Sequence, residues 1–503
     1  MAVKTLKYFT NNEFVESKTD KYYPVFNPST GEQIARMPRC TSEEVARVIE
    51  NAHAAYEKWS RVPVLKRVQV LYKLRELLIE HMDELTMICA TEHGKNWEES
   101  RGDILKAKEG TELACNMPSL LQGESLMDAS SGYDTVLYRE SMGVFAGIAP
   151  FNFPAMIPMG WMAPVCIACG NAIVLKVAGA TPMTSLRIAE LYKEAGLPDG
   201  VLNIVSCDRN DTQELISNPK IVGISFVGST TVGRYIYETA AKYGKRVQCL
   251  CEAKNHALVL EDAALDRTAA GIINAAYGCA GERCMALPVV VAQESIADKL
   301  VEKLVSLAKS KVKVGPAYEK DTTLGPVYSA EHKKSVEAWI EKGISEGATL
   351  VLDGRGVKVE GHEKGFYLGP TILDNVTPEM SVGQREIFGP VLCIKRVKTF
   401  EEGLKVMNDN PFANGSVIYT QNGYYAREFT RYTHGGMVGV NVGIPVPVGV
   451  FSFTGHKLSF FGDLHCLGRD SFKFFTDSKT VTTHWFDEHE ARSTKVSTWD
   501  GTI

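Results

Sequence analysis

The segment ISFVGSTTVG sets an apolar strand directly before Gly228, Ser229 and Gly233, with a helical run behind them. Glycine lets a backbone approach a pyrophosphate, and the N–H groups and dipole of a following helix favour its negative charge. The spacing is G-x-x-x-x-G rather than the G-x-G-x-x-G of the usual dinucleotide turn, so by itself it reads as a phosphate cradle or as plain turn chemistry. A second candidate is Cys284, in GERC with Arg283 beside it. A thiolate is a ready nucleophile and a cationic neighbour lowers a thiol pKa, whereas a lone cysteine without such surroundings simply packs. The C-x-x-C at Cys166 to Cys169 has redox spacing but lies inside the apolar run WMAPVCIACGNAIVL, where packing is the expected role. The histidines show no metal-ligand spacing with cysteines or acids, and no metal site is expected.

Such groups need a frame to hold them. A chain of 503 residues exceeds one ordinary core, and two or three packed domains are expected. A net charge of −5 with no long basic run gives no electrostatic footprint for nucleic acid or an anionic membrane, which points to small-molecule chemistry. The start MAVKTLKYFTNNEF has neither an apolar signal core nor an Arg-rich amphipathic stretch. No apolar run reaches the ~20 residues of a membrane span; the longest, Met156 to Val177, is broken by Pro158, Pro164, Gly170 and Asn171. Twelve irregularly spaced cysteines suit reduced thiols, so a cytoplasmic location is expected.

From Ser42, read as an N-cap, SEEVARVIENAHAAYEKW has helical spacing, and a second helical stretch runs from about Val64 to Glu92. At Gly143 the pattern changes to the strand-like GVFAGIAPFNFP. NAIVLK, SLRIAELYKEAG, VLNIVS, IVGISFVGS and VGRYIYETAAKYG then alternate as strand and helix, which implies a parallel α/β sheet. A second such series runs from His256 to about Gly455. The stretch DSFKFFTDSKTVTTHWF suits a strand that pairs beyond its own lobe, making an oligomer plausible, and the polar residues after Phe486 suit a loose end.

APFNFP at Ala149 to Pro154, VLK at Val174 to Lys176, FVGSTTVG at Phe226 to Gly233, GERC at Gly281 to Cys284 and EIFGP at Glu386 to Pro390 occur in that order. Together they resemble the aldehyde dehydrogenase superfamily over nearly the whole chain. KNH at Lys254 to His256, GERCMA and FFGDLH look like its (methyl)malonate-semialdehyde dehydrogenase branch, which makes acyl-CoA. The resemblance implies an α/β fold with a Rossmann-type NAD(P)-binding domain (1–120 and 141–253), a catalytic domain (254–455) and oligomerisation strands (121–140 and 468–487). It also implies a homo-oligomer, dimer or tetramer.

The same resemblance gives Cys284 the role of nucleophile and Asn152 that of oxyanion donor beside the backbone N–H of Cys284; a turn-forming asparagine is the simpler reading of Asn152. It places Phe151 in the cofactor site, Lys176 at the adenosine ribose, Gly228, Ser229 and Gly233 at the pyrophosphate, and Glu386 and Phe388 at the nicotinamide riboside. Gly179, in KVAG, stands where NAD-selective relatives carry a glutamate, which leaves NADP use open beside NAD. Aligned on Lys254, the glutamate that activates water in hydrolytic relatives falls at Leu250, so the base is missing and coenzyme A becomes the expected acyl acceptor. Glu252, two residues on, is the substitute a hydrolytic alternative would use. The branch binds an anionic aldehyde with two arginines; Arg283 matches one and Lys106 stands at the other, where a solvated helix lysine or a differently shaped anion such as a sulfonate is equally consistent. A non-catalytic protein reusing the fold is the alternative of another class.

Overall fold

The structure, a computed structural model, describes residues 3–130 and 132–485. The residues after Phe486, expected to be a loose end, lie outside them.

The apolar runs after Gly143 become five parallel strands, in spatial order Arg246–Leu250, Ile221–Val227, Val144–Ile148, Ala172–Lys176 and Leu202–Val205. They are buried on both faces, which is why they read as unbroken apolar runs rather than alternating ones. The chain winds outward from Val144–Ile148 in one direction, then crosses back to Ile221–Val227. In such sheets the crevice at the carboxyl ends of the strands where winding reverses is the ligand site. Here those ends lead into Ala149–Pro154 and into Gly228, the two loops singled out by sequence. Tyr8–Thr10 and Glu13–Val15 extend one edge. Phe460–Gly462, from beyond the expected domain limit at 455, pairs antiparallel with Arg246–Leu250 at the other.

The second series forms a seven-stranded sheet, parallel except for its edge strand Thr349–Leu352, with His256–Val259 between Val289–Gln293 and Gly415–Tyr419. Glu124–Ser130, Tyr133–Ser141 and Thr476–His484 form a separate antiparallel sheet with exposed Leu126, Met127 and Tyr138. Only the later part of 468–487 is strand. Gly468–Phe474 is a helix, because Phe472 and Phe474 pack into the core. Among the described residues no helix is long and apolar enough to cross a membrane, and no group of three metal-ligating side chains occurs.

Two helix readings change. Ser42 is the first helical residue and Thr41 the cap, since Thr41 accepts from the Glu44 N–H while the Glu44 carboxylate accepts from the Thr41 N–H. The stretch 64–92 breaks at His81 into Val64–Glu80 and Met82–His93. Beyond Gly94, a left-handed stop, the helix Trp97–Cys115 lies against the π-helix Met156–Met162. Gly110 and Gly160 permit the approach: a Cβ on Gly110 would stand 2.1 Å from the Gly160 carbonyl oxygen. Gly110→Ala should therefore destabilise by up to about 2 kcal/mol in urea unfolding, the overpacking against backbone (about 1–3 kcal/mol) less the roughly 1 kcal/mol gained in helix propensity.

Candidate active site

Cys284 comes after a turn that the sequence makes unusually tight. Beyond the helix Leu265–Tyr277, Cys279, Ala280 and Gly281 all adopt left-handed conformations, with φ of 50°, 54° and 74°. A Cβ on Gly281 would meet the Gly389 carbonyl oxygen at 2.1 Å, so the turn is seated directly on the EIFGP segment. Three amide side chains hold the backbone from Glu282 to Cys284. Asn152 Nδ2 donates to the Glu282 carbonyl (2.9 Å), while Asn255 Nδ2 (2.9 Å) and Asn414 Nδ2 (3.2 Å) donate to that of Cys284. Each amide nitrogen has two N–H groups, so Asn152 keeps one for a second acceptor. The N–H groups of Cys284 and Met285 face the Cys284 sulfur; burial nevertheless pushes this thiol up to about 12, with the Glu386 charge adding to the effect.

The loop carrying Asn152 is anchored from below. Lys95 is buried; its Nζ donates to Asp103 Oδ2 (2.9 Å) and to the Asn152 carbonyl (2.5 Å), and lies 4.0 Å from the centre of the Phe153 ring. Asp103 Oδ1 accepts from the Met156 N–H (2.7 Å). Burial alone would depress the Lys95 ammonium, but Asp103 holds it raised. Beside this pair Glu282 is buried and kept well above the usual carboxylate range by desolvation; its Oε2 faces His93 Nε2 at 3.9 Å and neither atom has a hydrogen-bond partner. Lys95, Asp103, Asn255 and Asn414 were missed in the sequence because none lies in a motif with chemistry of its own, apart from the KNH that contains Asn255.

A cavity of about 210 Å³ lies on one side of Cys284, bounded by Phe151, Gly228, Ser229, Glu252, Glu386 and Phe388. Phe151 stacks on Tyr328, with centroids 3.7 Å apart. Phe388 takes a left-handed φ of 59°, a strained state for an aromatic residue, and its carbonyl shares a 2.7 Å hydrogen bond with His332 Nε2. Glu386 Oε1 accepts from the Ala253 N–H (3.2 Å), and burial pushes its carboxyl up to about 8. Lys176 ends its strand with no carboxylate paired to it among the described residues, and burial lowers its ammonium. These groups suit a dinucleotide: a helix N-terminus for phosphate, a cation at the strand end, and a carboxyl for ribose.

Four residues singled out in the sequence have contacts that the sequence did not indicate. Gly233 has a packing role, since a Cβ there would stand 2.3 Å from Cys251 Sγ. The space beside Gly179 is filled by the Tyr23 ring, 2.3 Å from a built Cβ, which hydrogen-bonds through its hydroxyl to the Cys207 carbonyl. Leu250 is buried in its strand and does not bound the cavity; Cys251 and Glu252 do. The Glu252 carboxylate points to the Thr230 N–H (2.8 Å), on the cofactor side.

On the other side of Cys284 a tunnel of about 720 Å³ opens, with Arg283, Lys106, Phe153 and Trp161 in its walls. Neither expected cation is unpaired. Arg283 donates to Glu99 (2.8 Å) and to Cys279 Sγ (3.2 Å), and Lys106 pairs with Glu109 (2.6 Å) one helical turn on. Low dielectric explains the first pairing, because a guanidinium this buried requires a counter-charge. Lys311 and Lys320, also in the walls, have no acidic partner within salt-bridge distance among the described residues.

A Rossmann-type crevice and a cysteine turn that meet between two lobes define an oxidoreductase architecture. The model of the aldehyde dehydrogenase family matches residues 14–481, and the chain belongs to that family. It is 46% identical over 483 residues to malonate-semialdehyde dehydrogenase 2 of Geobacillus kaustophilus (96% of this chain, 99% of the relative). It is 47% identical over 484 residues to malonate-semialdehyde dehydrogenase 1 of Geobacillus thermodenitrificans, at the same coverage of both chains. A putative methylmalonate-semialdehyde dehydrogenase from Sinorhizobium meliloti, solved with NAD, superposes with a TM-score of 0.95 at 41% identity (97% and 99% covered). Methylmalonate-semialdehyde dehydrogenase from Oceanimonas doudoroffii gives 0.94 at 42% (96% and 99%).

This geometry has consequences for stability and for reactivity. Asp103→Ala should cost about 3–5 kcal/mol, as for other broken buried pairs, read as a lowered urea midpoint. Glu386 is protonated up to about pH 8 and anionic above it, where its charge opposes the thiolate. Glu386→Gln should accordingly speed iodoacetamide capture of Cys284 above pH 8 and leave the rate below it nearly unchanged.

Proposed function

We propose that the protein oxidises a short anionic aldehyde of the malonate or methylmalonate semialdehyde type with NAD or NADP, and passes the acyl group from Cys284 to coenzyme A. The observation that carries this is the position of Cys284: it bounds both the 720 Å³ tunnel and the 210 Å³ cofactor cavity. An aldehyde entering through the tunnel meets the sulfur, while a hydride acceptor reaches the same carbon from the opposite side. The names of the relatives, and the NAD held by the Sinorhizobium meliloti protein, support the substrate and cofactor classes.

The Cys284 thiolate adds to the aldehyde carbon, and the new oxyanion lies within the reach of the free Asn152 N–H and the Cys284 backbone N–H. Gly228, Ser229, Lys176 and Glu386 would hold the dinucleotide, whose nicotinamide would accept the hydride from that carbon. A thioester remains on Cys284. Arg283 Nη1 donates to neither Glu99 nor Cys279 and is available to the substrate carboxylate. The thiol of coenzyme A attacks the thioester carbonyl and gives up its proton as Cys284 leaves as thiolate; the β-carboxylate departs as carbon dioxide, and the enolate left behind takes up a proton at the α-carbon. Transfer to a thiol is supported by Leu250, which stands at the water-activating position and carries no proton acceptor. The exposed sheet containing Thr476–His484 suits assembly as a homo-oligomer.

Malonate semialdehyde with NAD or NADP should yield acetyl-CoA only when coenzyme A is present, identified by mass spectrometry. Free acid formed as fast without coenzyme A would establish hydrolysis, and an inert Cys284 would return the chain to a binding role.

A further inference from the structure

We infer that Glu252 sets the affinity for the dinucleotide by holding the helix N-terminus that its pyrophosphate requires. The inference rests on the proposed binding of NAD or NADP in the cavity beside Cys284.

The helix Thr230–Lys242 starts at the carboxyl end of Ile221–Val227, at the winding reversal of the sheet. Its first N–H, that of Thr230, donates to Glu252 Oε2 at 2.8 Å. The Glu252 backbone is fixed independently: its N–H donates to Thr230 Oγ1 (3.3 Å), and its carbonyl accepts from Ser459 Oγ (2.7 Å). Only the side chain is therefore able to leave. The carboxylate shares a cavity wall with Gly228 and Ser229, the residues through which a phosphate would approach, and Glu386 lies on the same cavity. A helix N-terminus favours one anion, and two anions there repel each other. Dinucleotide and Glu252 consequently exclude each other at the Thr230 N–H, and binding has to displace the carboxylate. Glu252 forms no salt bridge with a cation among the described residues, so its charge is met by the helix N-terminus, the place where a pyrophosphate would approach.

The test is fluorescence titration with NADH and NADPH, and competition by ADP-ribose, on the wild type, Glu252→Gln and Glu252→Ala. The glutamine keeps the volume and an acceptor for Thr230 but not the charge; the alanine clears the channel. Both variants should bind the reduced dinucleotide roughly fivefold or more tightly, and ADP-ribose, which carries the pyrophosphate without nicotinamide, should gain by a similar factor. Unchanged or weaker binding in both variants, with the wild type binding normally, overturns the inference and leaves the cofactor reading intact. A gain for NADH that ADP-ribose does not share also overturns it, since the charge would then act at the nicotinamide end. Absence of nucleotide binding in all three proteins would overturn the cofactor reading and this inference with it.

Discussion

The active site depends on one buried ion pair. Lys95 and Asp103 lie eight residues apart and both are removed from water, a state tolerable only when each charge is matched and its remaining hydrogen-bonding capacity is used. Both conditions are met by the loop after Val144–Ile148. Lys95 takes the Asn152 carbonyl and the Phe153 ring, and Asp103 takes the Met156 N–H. The loop thus acquires its shape by solvating a pair of charges, and the Asn152 amide is aimed at the cysteine turn as a consequence. The glycine contact between Gly110 and Gly160 serves the same end, because it brings the helix carrying Asp103 close enough to reach the loop backbone.

The cysteine turn has the complementary need. Its left-handed residues Cys279 to Gly281 end the helix, and the carbonyls of Glu282 and Cys284 just beyond them are satisfied by Asn152, Asn255 and Asn414. These asparagines come from both lobes: Asn152 from the loop after Val144–Ile148 of the first sheet, Asn414 from just before Gly415–Tyr419 of the second. Relative movement of the lobes would therefore be felt first at Cys284. The sulfur itself rests as a thiol, held there by burial and by Glu386. Ionisation of the sulfur therefore requires the approach of a positive or hydrogen-bonding partner.

Much of this was legible in the sequence. The parallel sheets follow from unbroken apolar runs alternating with helices, and the two site loops follow from where glycine and proline interrupt them. The helix break at His81 was not legible, since no glycine or proline marks it and packing alone turns Met82–His93. The long-range partners were equally hidden: Glu99 is an ordinary first-turn acid until the fold brings Arg283 against it, 184 residues away in sequence. Charge read from sequence counts Arg283 and Lys106 as cations for a substrate; burial requires that the first be neutralised internally, and helix spacing lets the second find Glu109.

The register around Lys254 shows a further limit of one-dimensional reading. Alignment on a lysine places Leu250 where a water-activating glutamate belongs, yet it is silent on what that residue faces, because a strand presents alternate residues to opposite sides. Leu250 is committed to the hydrophobic core together with Phe460, its partner on the edge strand, while its carbonyl receives the Gly228 N–H. As a leucine it offers the thioester no proton acceptor. The residues that do meet the cavity, Cys251 and Glu252, lie just past the strand end, where the backbone is held by Ser459. In the structure Glu252 turns toward the helix rather than toward Cys284, held there by its hydrogen bond to Thr230.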